Sequence, residues 1–95
     1  MGHWRRVRDT GRKDENQQAI VDSLKKIPGV SVEVGHDDIL VGYKQKTFWY
    51  EIKKSKPTPS QIKPDQYRIW ETFTGHYKIV WSIDMILDDI GVCIK

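Results

Sequence analysis

The chain has 95 residues, with 16 lysines and arginines against 13 aspartates and glutamates and a net charge of +3. That length supports one small domain with a single core, and 38% hydrophobic with 31% charged residues is the composition of a folded chain, not a disordered one. One cysteine, Cys93, excludes an internal disulfide, and no apolar run reaches the ~20 residues of a membrane-crossing helix.

Residues 1–13 have no apolar period. Arg5, Arg6, Arg8, Arg12 and Lys13 crowd this arm, and Gly2 and Gly11 loosen it. A basic arm of this kind grips phosphates or is a solvated tail, and both readings stay open. From Asp14 the pattern changes, and a single domain is expected over 14–95. Asp14 reads as a helix N-cap, with Gln17 three residues on as in a capping box. Ile20, Leu24 and Ile27 recur at helical spacing with Ala19 beside them, so a helix is predicted to about Ile27, ended by Pro28-Gly29. Glu15 falls in its first turn, where the helix dipole alone favours a carboxylate.

Val30, Val32 and Val34 alternate with Ser31 and Glu33, the pattern of a half-buried strand near a sheet edge. Gly35-His36 breaks it. His36 lies beside Asp37 and Asp38, but one histidine in a polar loop reads first as a surface residue, and His3 and His76 make no zinc spacing with it.

Residues 34–54 form the stretch with the most chemistry. Ile39-Leu40-Val41 follows the aspartates, residues 42–46 can reverse the chain, and residues 47–53 are β-branched and aromatic. This predicts a hairpin. The start of one strand of an antiparallel pair lies beside the end of the next, so Asp38 and Glu51 can meet. Side chains two apart share a face, so Glu51 and Lys53 point one way while Phe48, Tyr50 and Ile52 point to a core. Two carboxylates beside an ammonium suit a hard cation such as Mg²⁺, which needs only one or two carboxylates because it keeps several waters. The Ile52 carbonyl is a further candidate oxygen.

Pro57 and Pro59 make residues 55–63 a stiffened loop. It carries Lys56 and Lys63 and follows Lys54, so it is a candidate for holding a nucleic-acid strand or a plain linker. Pro64 and Asp65 open a second helix. Ile69 and Phe73 are expected on its inner face with Trp70 in the core, Tyr67 is open between core and base stacking, and Gly75 is the expected C′ residue. Residues 77–81 read as a strand. Ser82 caps a last helix over 83–90, with Met85 or Ile86 and Ile90 inward and Gly91 ending it. Residues 92–95 are short and apolar, an edge strand or a contact with a second subunit, and Cys93 within them reads as packing.

The predicted order is α-β-β-β-α-β-α, an α/β fold with a mixed central sheet flanked by helices. Asp38 before an apolar strand, followed by Glu51-Ile52-Lys53, resembles the PD-(D/E)XK nuclease motif. Glu15 on the first helix, Gln66 on the helix after the Glu-x-Lys strand and the Pro28-Gly29 link narrow the resemblance to the VRR-NUC family, over roughly residues 14–90. Where that family has a proline before the aspartate, this chain has Asp37.

The resemblance implies a restriction-endonuclease-like core and an endonuclease dependent on Mg²⁺ or Mn²⁺. The ion would be held by Asp38, Glu51 and the Ile52 carbonyl, with Glu15 as a further acidic member. Lys53 would position water or neutralise charge, and Gln66 would orient these groups. It further implies a homodimer acting on branched DNA such as four-way junctions, in a phage or bacterial setting, and the single cysteine fits the reducing cytoplasm expected for it. The alternative is a nucleic-acid-binding module without catalysis, working through the basic arm and loop.

Overall fold

The computed structural model describes residues 15–36 and 38–92, with the backbone alone at Glu15. The expected order is present: α1 (Glu15–Lys25), β1 (Val30–Val34), β2 (Asp38–Tyr43), β3 (Lys46–Ile52), α2 (Pro64–Thr72), β4 (Tyr77–Val80) and α3 (Ile83–Ile90), with a 3₁₀ turn at Pro59–Gln61 before α2. Asp14, expected to cap α1, and Cys93 lie outside the described residues.

The strands form one four-stranded sheet in the order β1-β2-β3-β4. The first three run antiparallel, and β4 joins β3 in parallel after the crossover through α2. The sheet is therefore mixed, with β1 at one edge as the half-buried valines predict. The β2–β3 reversal is tighter than residues 42–46: only Lys44 and Gln45 are unpaired, with φ of 53° and 72°. Left-handed conformations at both central residues match the right-handed twist of the strands, which is why a two-residue loop suffices.

Strand alternation divides the sheet into two unlike faces. Ile39 and Val41 of β2, Phe48, Tyr50 and Ile52 of β3 and Val80 of β4 form one face, buried against Ile20, Val21 and Leu24 of α1 and Ile86 and Ile90 of α3. Each such side chain stabilises the fold by ~1.5–3 kcal/mol of burial. The stripe of α1 is turned slightly from the expected one: Gln17 and Val21 are inward, Ala19 is exposed, and the helix ends at Lys25. Ile27 still packs on the core, from a turn that closes with Ile27 N–H donating to the Leu24 carbonyl (3.1 Å) and Gly29 at φ 85°. That left-handed glycine lets the chain leave the helix and enter β1 within five residues.

α3 is bounded as its sequence predicts. Ser82 Oγ accepts from Met85 N–H (3.3 Å), and Gly91 takes the left-handed conformation at φ 91°. Its last turn is tied to the sheet by Asp89. Asp89 Oδ2 accepts from the buried Tyr50 hydroxyl (2.5 Å) and meets His76 Nε2 (2.5 Å), and Oδ1 accepts from Lys78 Nζ (3.1 Å). Burial pushes the Asp89 carboxyl up, but the bonds from Tyr50, His76 and Lys78 outweigh it and hold its pKa below the ordinary value. Burial and then the Asp89 charge push the Tyr50 phenol up, so it stays a donor.

α2 packs against β4, and Phe73, the residue after the helix, meets Trp49 on the opposite face edge-on with centroids 5.2 Å apart. The aromatic side chains of α2 lie at the surface. Trp70, expected in the core, is 50% exposed, Phe73 46% and Tyr67 36%, and Trp70 stacks on Tyr67 at 6.3 Å. The burial of α2 rests instead on Gln66, with Ile69 half-buried. Gly75 is not the left-handed C′ residue expected: α2 ends at Thr72, and Phe73 leaves it in an extended conformation. Among the described residues, no helix is long and apolar enough to cross a membrane.

Candidate active site

The face opposite the core holds the carboxylates. Asp38 opens β2 and Glu51 lies near the end of β3, directly opposite each other in the antiparallel register. The same register puts Ile39 opposite Tyr50 on the core face, so Asp38, Trp49 and Glu51 project to the other side. Glu51 is buried at 5% exposure, and Asp38 is half-buried. Trp49 Nε1 donates to Asp38 Oδ2 at 2.9 Å, which orients that carboxylate. The turn before β2 closes with Gly35 N–H donating to the Asp38 carbonyl at 2.8 Å, leaving His36 exposed beside it.

β4 adds Tyr77, in register with Trp49 and packed edge-on against its ring at 4.8 Å and 74°. Tyr77 is 8% exposed, and its hydroxyl is buried without a hydrogen-bond partner. Burial pushes its pKa up, and the negative charges of Glu51 and Asp38 push it further. The phenol therefore shares the electrostatic environment of both carboxylates.

The start of α1 is fastened at the same end of the sheet. Asn16 Nδ2 donates to the Lys53 carbonyl at 2.8 Å and to the Trp81 carbonyl at 3.4 Å. Glu15 precedes Asn16 on α1; its side chain lies outside the described residues, as do Asp37 and the arm with Arg5, Arg6, Arg8, Arg12 and Lys13. Lys53 follows β3 and continues its pairing, its N–H donating to the Val80 carbonyl at 2.9 Å. Its ammonium reaches the loop and donates to the Gln61 carbonyl at 3.2 Å. Lys54, Lys56 and Lys63 are exposed along that loop. Ile52 buries its side chain in the core at 4% exposure.

Gln66 is buried, but its local task is structural. It stands at the third position of α2, and its Oε1 accepts from the Lys63 N–H at 3.1 Å. Gln61 does the same for the 3₁₀ turn, accepting from Thr58 N–H at 2.9 Å. Sequence reading missed Trp49, Tyr77 and Asn16. Trp49 was accessible in principle, two residues before Glu51 on one strand, whereas Tyr77 and Asn16 depend on pairings between distant segments.

Among the described residues, no group of three or more histidines, cysteines, aspartates or glutamates gathers to hold an ion. Asp38 and Glu51 make a pair. A pair fits Mg²⁺ or Mn²⁺, because hard cations of this kind take oxygen ligands and complete their shell with water, and the unpartnered Tyr77 hydroxyl is a polar atom that such a shell would satisfy. Compared with protein-family models, curated proteins and solved structures, the chain matches none.

Proposed function

We propose that this chain is a metal-dependent endonuclease with a PD-(D/E)XK core of the VRR-NUC kind, hydrolysing phosphodiester bonds in DNA. The observation that carries this reading is the facing of Asp38 and Glu51 across β2 and β3, with Lys53 immediately after the strand. Asp38 and Glu51 would hold Mg²⁺ or Mn²⁺, joined by Glu15 and the Ile52 carbonyl. The bound cation supplies Lewis acidity, for activating water and for the charge that gathers on the phosphate. Lys53 supplies a second positive charge beside that phosphate. Trp49 orients Asp38 through its indole N–H, and Gln66 acts at one remove by fixing the start of α2.

The surroundings support a polyanionic substrate. Lys54, Lys56 and Lys63 are exposed on the loop that leaves the site, and the exposed Tyr67 and Trp70 follow on α2. Basic loops next to exposed aromatics are how unpaired strands are held, through phosphate contacts and base stacking. Branched DNA such as a four-way junction, cut by a homodimer, is the substrate and assembly this reading takes from the resemblance. The arm with Arg5, Arg6, Arg8, Arg12 and Lys13 would add phosphate contacts.

The test is cleavage of a labelled four-way junction against matched linear duplex, in Mg²⁺, Mn²⁺ or chelator, by wild type and Lys53→Ala. Cutting of the junction that needs the metal and is lost in the variant is expected. Tight junction binding without cutting in either metal would favour the second reading, a binding module that uses the same basic loop without chemistry.

A further inference from the structure

We propose that Tyr77 is a positioning residue of this site, its hydroxyl hydrogen-bonding one of the waters retained by a divalent cation at Asp38 and Glu51. The proposal rests on the reading of that pair as a metal site.

Nearly all buried polar groups in folded proteins have a partner, so an exception asks for a reason. The Tyr77 hydroxyl is such an exception, on a side chain more than nine-tenths buried. A phenylalanine would fill the same place without the cost of an unmet hydroxyl. The location supplies the reason. Tyr77 lies on β4 beside Trp49, ring edge to ring face, and Trp49 is bonded to Asp38. Ile79, two residues on, is in register with Glu51, so Tyr77 and Glu51 project from the same face of neighbouring strands. The negative charges of Glu51 and Asp38 add to the rise in its pKa, yet it bonds to neither.

On this proposal, a hydrated cation at the facing carboxylates would present its waters to two anionic acceptors and one unmet hydroxyl. That combination suits a hydrated divalent cation: the carboxylates take the metal, and the phenolic oxygen accepts from a water that the metal polarises. Groups placed in this way around a metal's own ligands typically change affinity or activity by ~10–100-fold when removed. Tyr77 is not part of the Asp38, Glu51 and Lys53 pattern, and its contribution depends on the parallel pairing of β4 with β3.

The experiment is calorimetric titration of the full chain with Mn²⁺ alone, no DNA present, for wild type, Tyr77→Phe and Glu51→Gln, together with thermal melts of the metal-free proteins. Tyr77→Phe should bind Mn²⁺ about tenfold more weakly, while its metal-free melting temperature stays level or rises because an unpartnered hydroxyl is gone. Wild-type affinity in Tyr77→Phe, with binding lost in Glu51→Gln, would overturn the role of Tyr77 and leave the metal site standing. No Mn²⁺ binding by wild type, or undiminished binding by Glu51→Gln, would sink the metal site and this proposal with it. A lower melting temperature for metal-free Tyr77→Phe would show that the hydroxyl already serves the fold, and would also overturn the proposal.

Discussion

Trp49 and Asp38 are joined across β2 and β3 by an indole N–H that donates to a carboxylate oxygen at 2.9 Å. The bond links an aromatic cluster to the candidate ligand, because the Trp49 ring also packs against Phe73 and Tyr77. Trp49→Phe keeps much of the ring packing and removes the donor. On the nuclease reading, metal-dependent cleavage should fall by roughly tenfold, as for other groups that orient a ligand. Stability should fall by about 1.5–3 kcal/mol for the hydrogen bond to a charged group, and further for the packing that the smaller ring gives up. Cleavage rates and urea midpoints on the same preparation check both numbers.

Glu51 illustrates a cost that a site can impose on its fold. It is buried at 5% exposure and directly opposite another carboxylate. Like charges directly opposite each other are destabilising in a sheet. On the nuclease reading, Glu51→Gln is expected to abolish metal-dependent cleavage, while removing one of two facing charges offsets part of any stability lost with the carboxylate. Denaturant midpoints in chelator, paired with a junction-cleavage assay in Mg²⁺, test the opposition between the two effects.

On the other face, Asp89 makes stability depend on acid. Its pKa is lowered on folding, so the folded protein binds its proton less readily than the unfolded chain does. The stabilisation is then fully present above the ordinary carboxylate range and is lost as pH falls through the lowered folded value. Asp89→Asn should melt at a lower temperature than wild type at neutral pH, and the gap should narrow on acidification below pH ~4. Melting curves across that range are the measurement; a gap that does not change with pH would contradict it.

The β2–β3 turn places two ordinary residues where glycine and asparagine are preferred. Lys44 and Gln45 have φ of 53° and 72°. A left-handed conformation costs an L-residue roughly 1–2 kcal/mol that glycine avoids. Gln45→Gly should raise stability by up to about 1 kcal/mol, less than the full cost because glycine also loosens the unfolded chain. Thermal melts of the single variant show it directly.

Much of this architecture was legible in the residues. The valine alternation of β1, the apolar face of β3 and the Ser82 and Gly91 boundaries of α3 express local rules of period and capping, which act within a few residues. The facing of Asp38 and Glu51 was legible for the same reason, since a short hairpin leaves little freedom of register. The surroundings of the pair were not. Trp70 has the spacing of a core residue, but whether an apolar helix position is covered depends on which face the helix turns to the sheet, and Trp70 is half exposed. Gln66 could be an active-site amide or a helix-start amide from its position alone, and the hydrogen bond from Lys63 N–H shows that it serves the helix start. Tyr77 enters the site only because β4 pairs in parallel with β3, 25 residues after Ile52 in the chain, and Asn16 reaches Lys53 across 37 residues. Sequence determined the elements and the one contact that a tight turn enforces. Tertiary structure decided which distant side chains share a space, because those pairings are set by the packing of the whole sheet against its helices and not by any local preference.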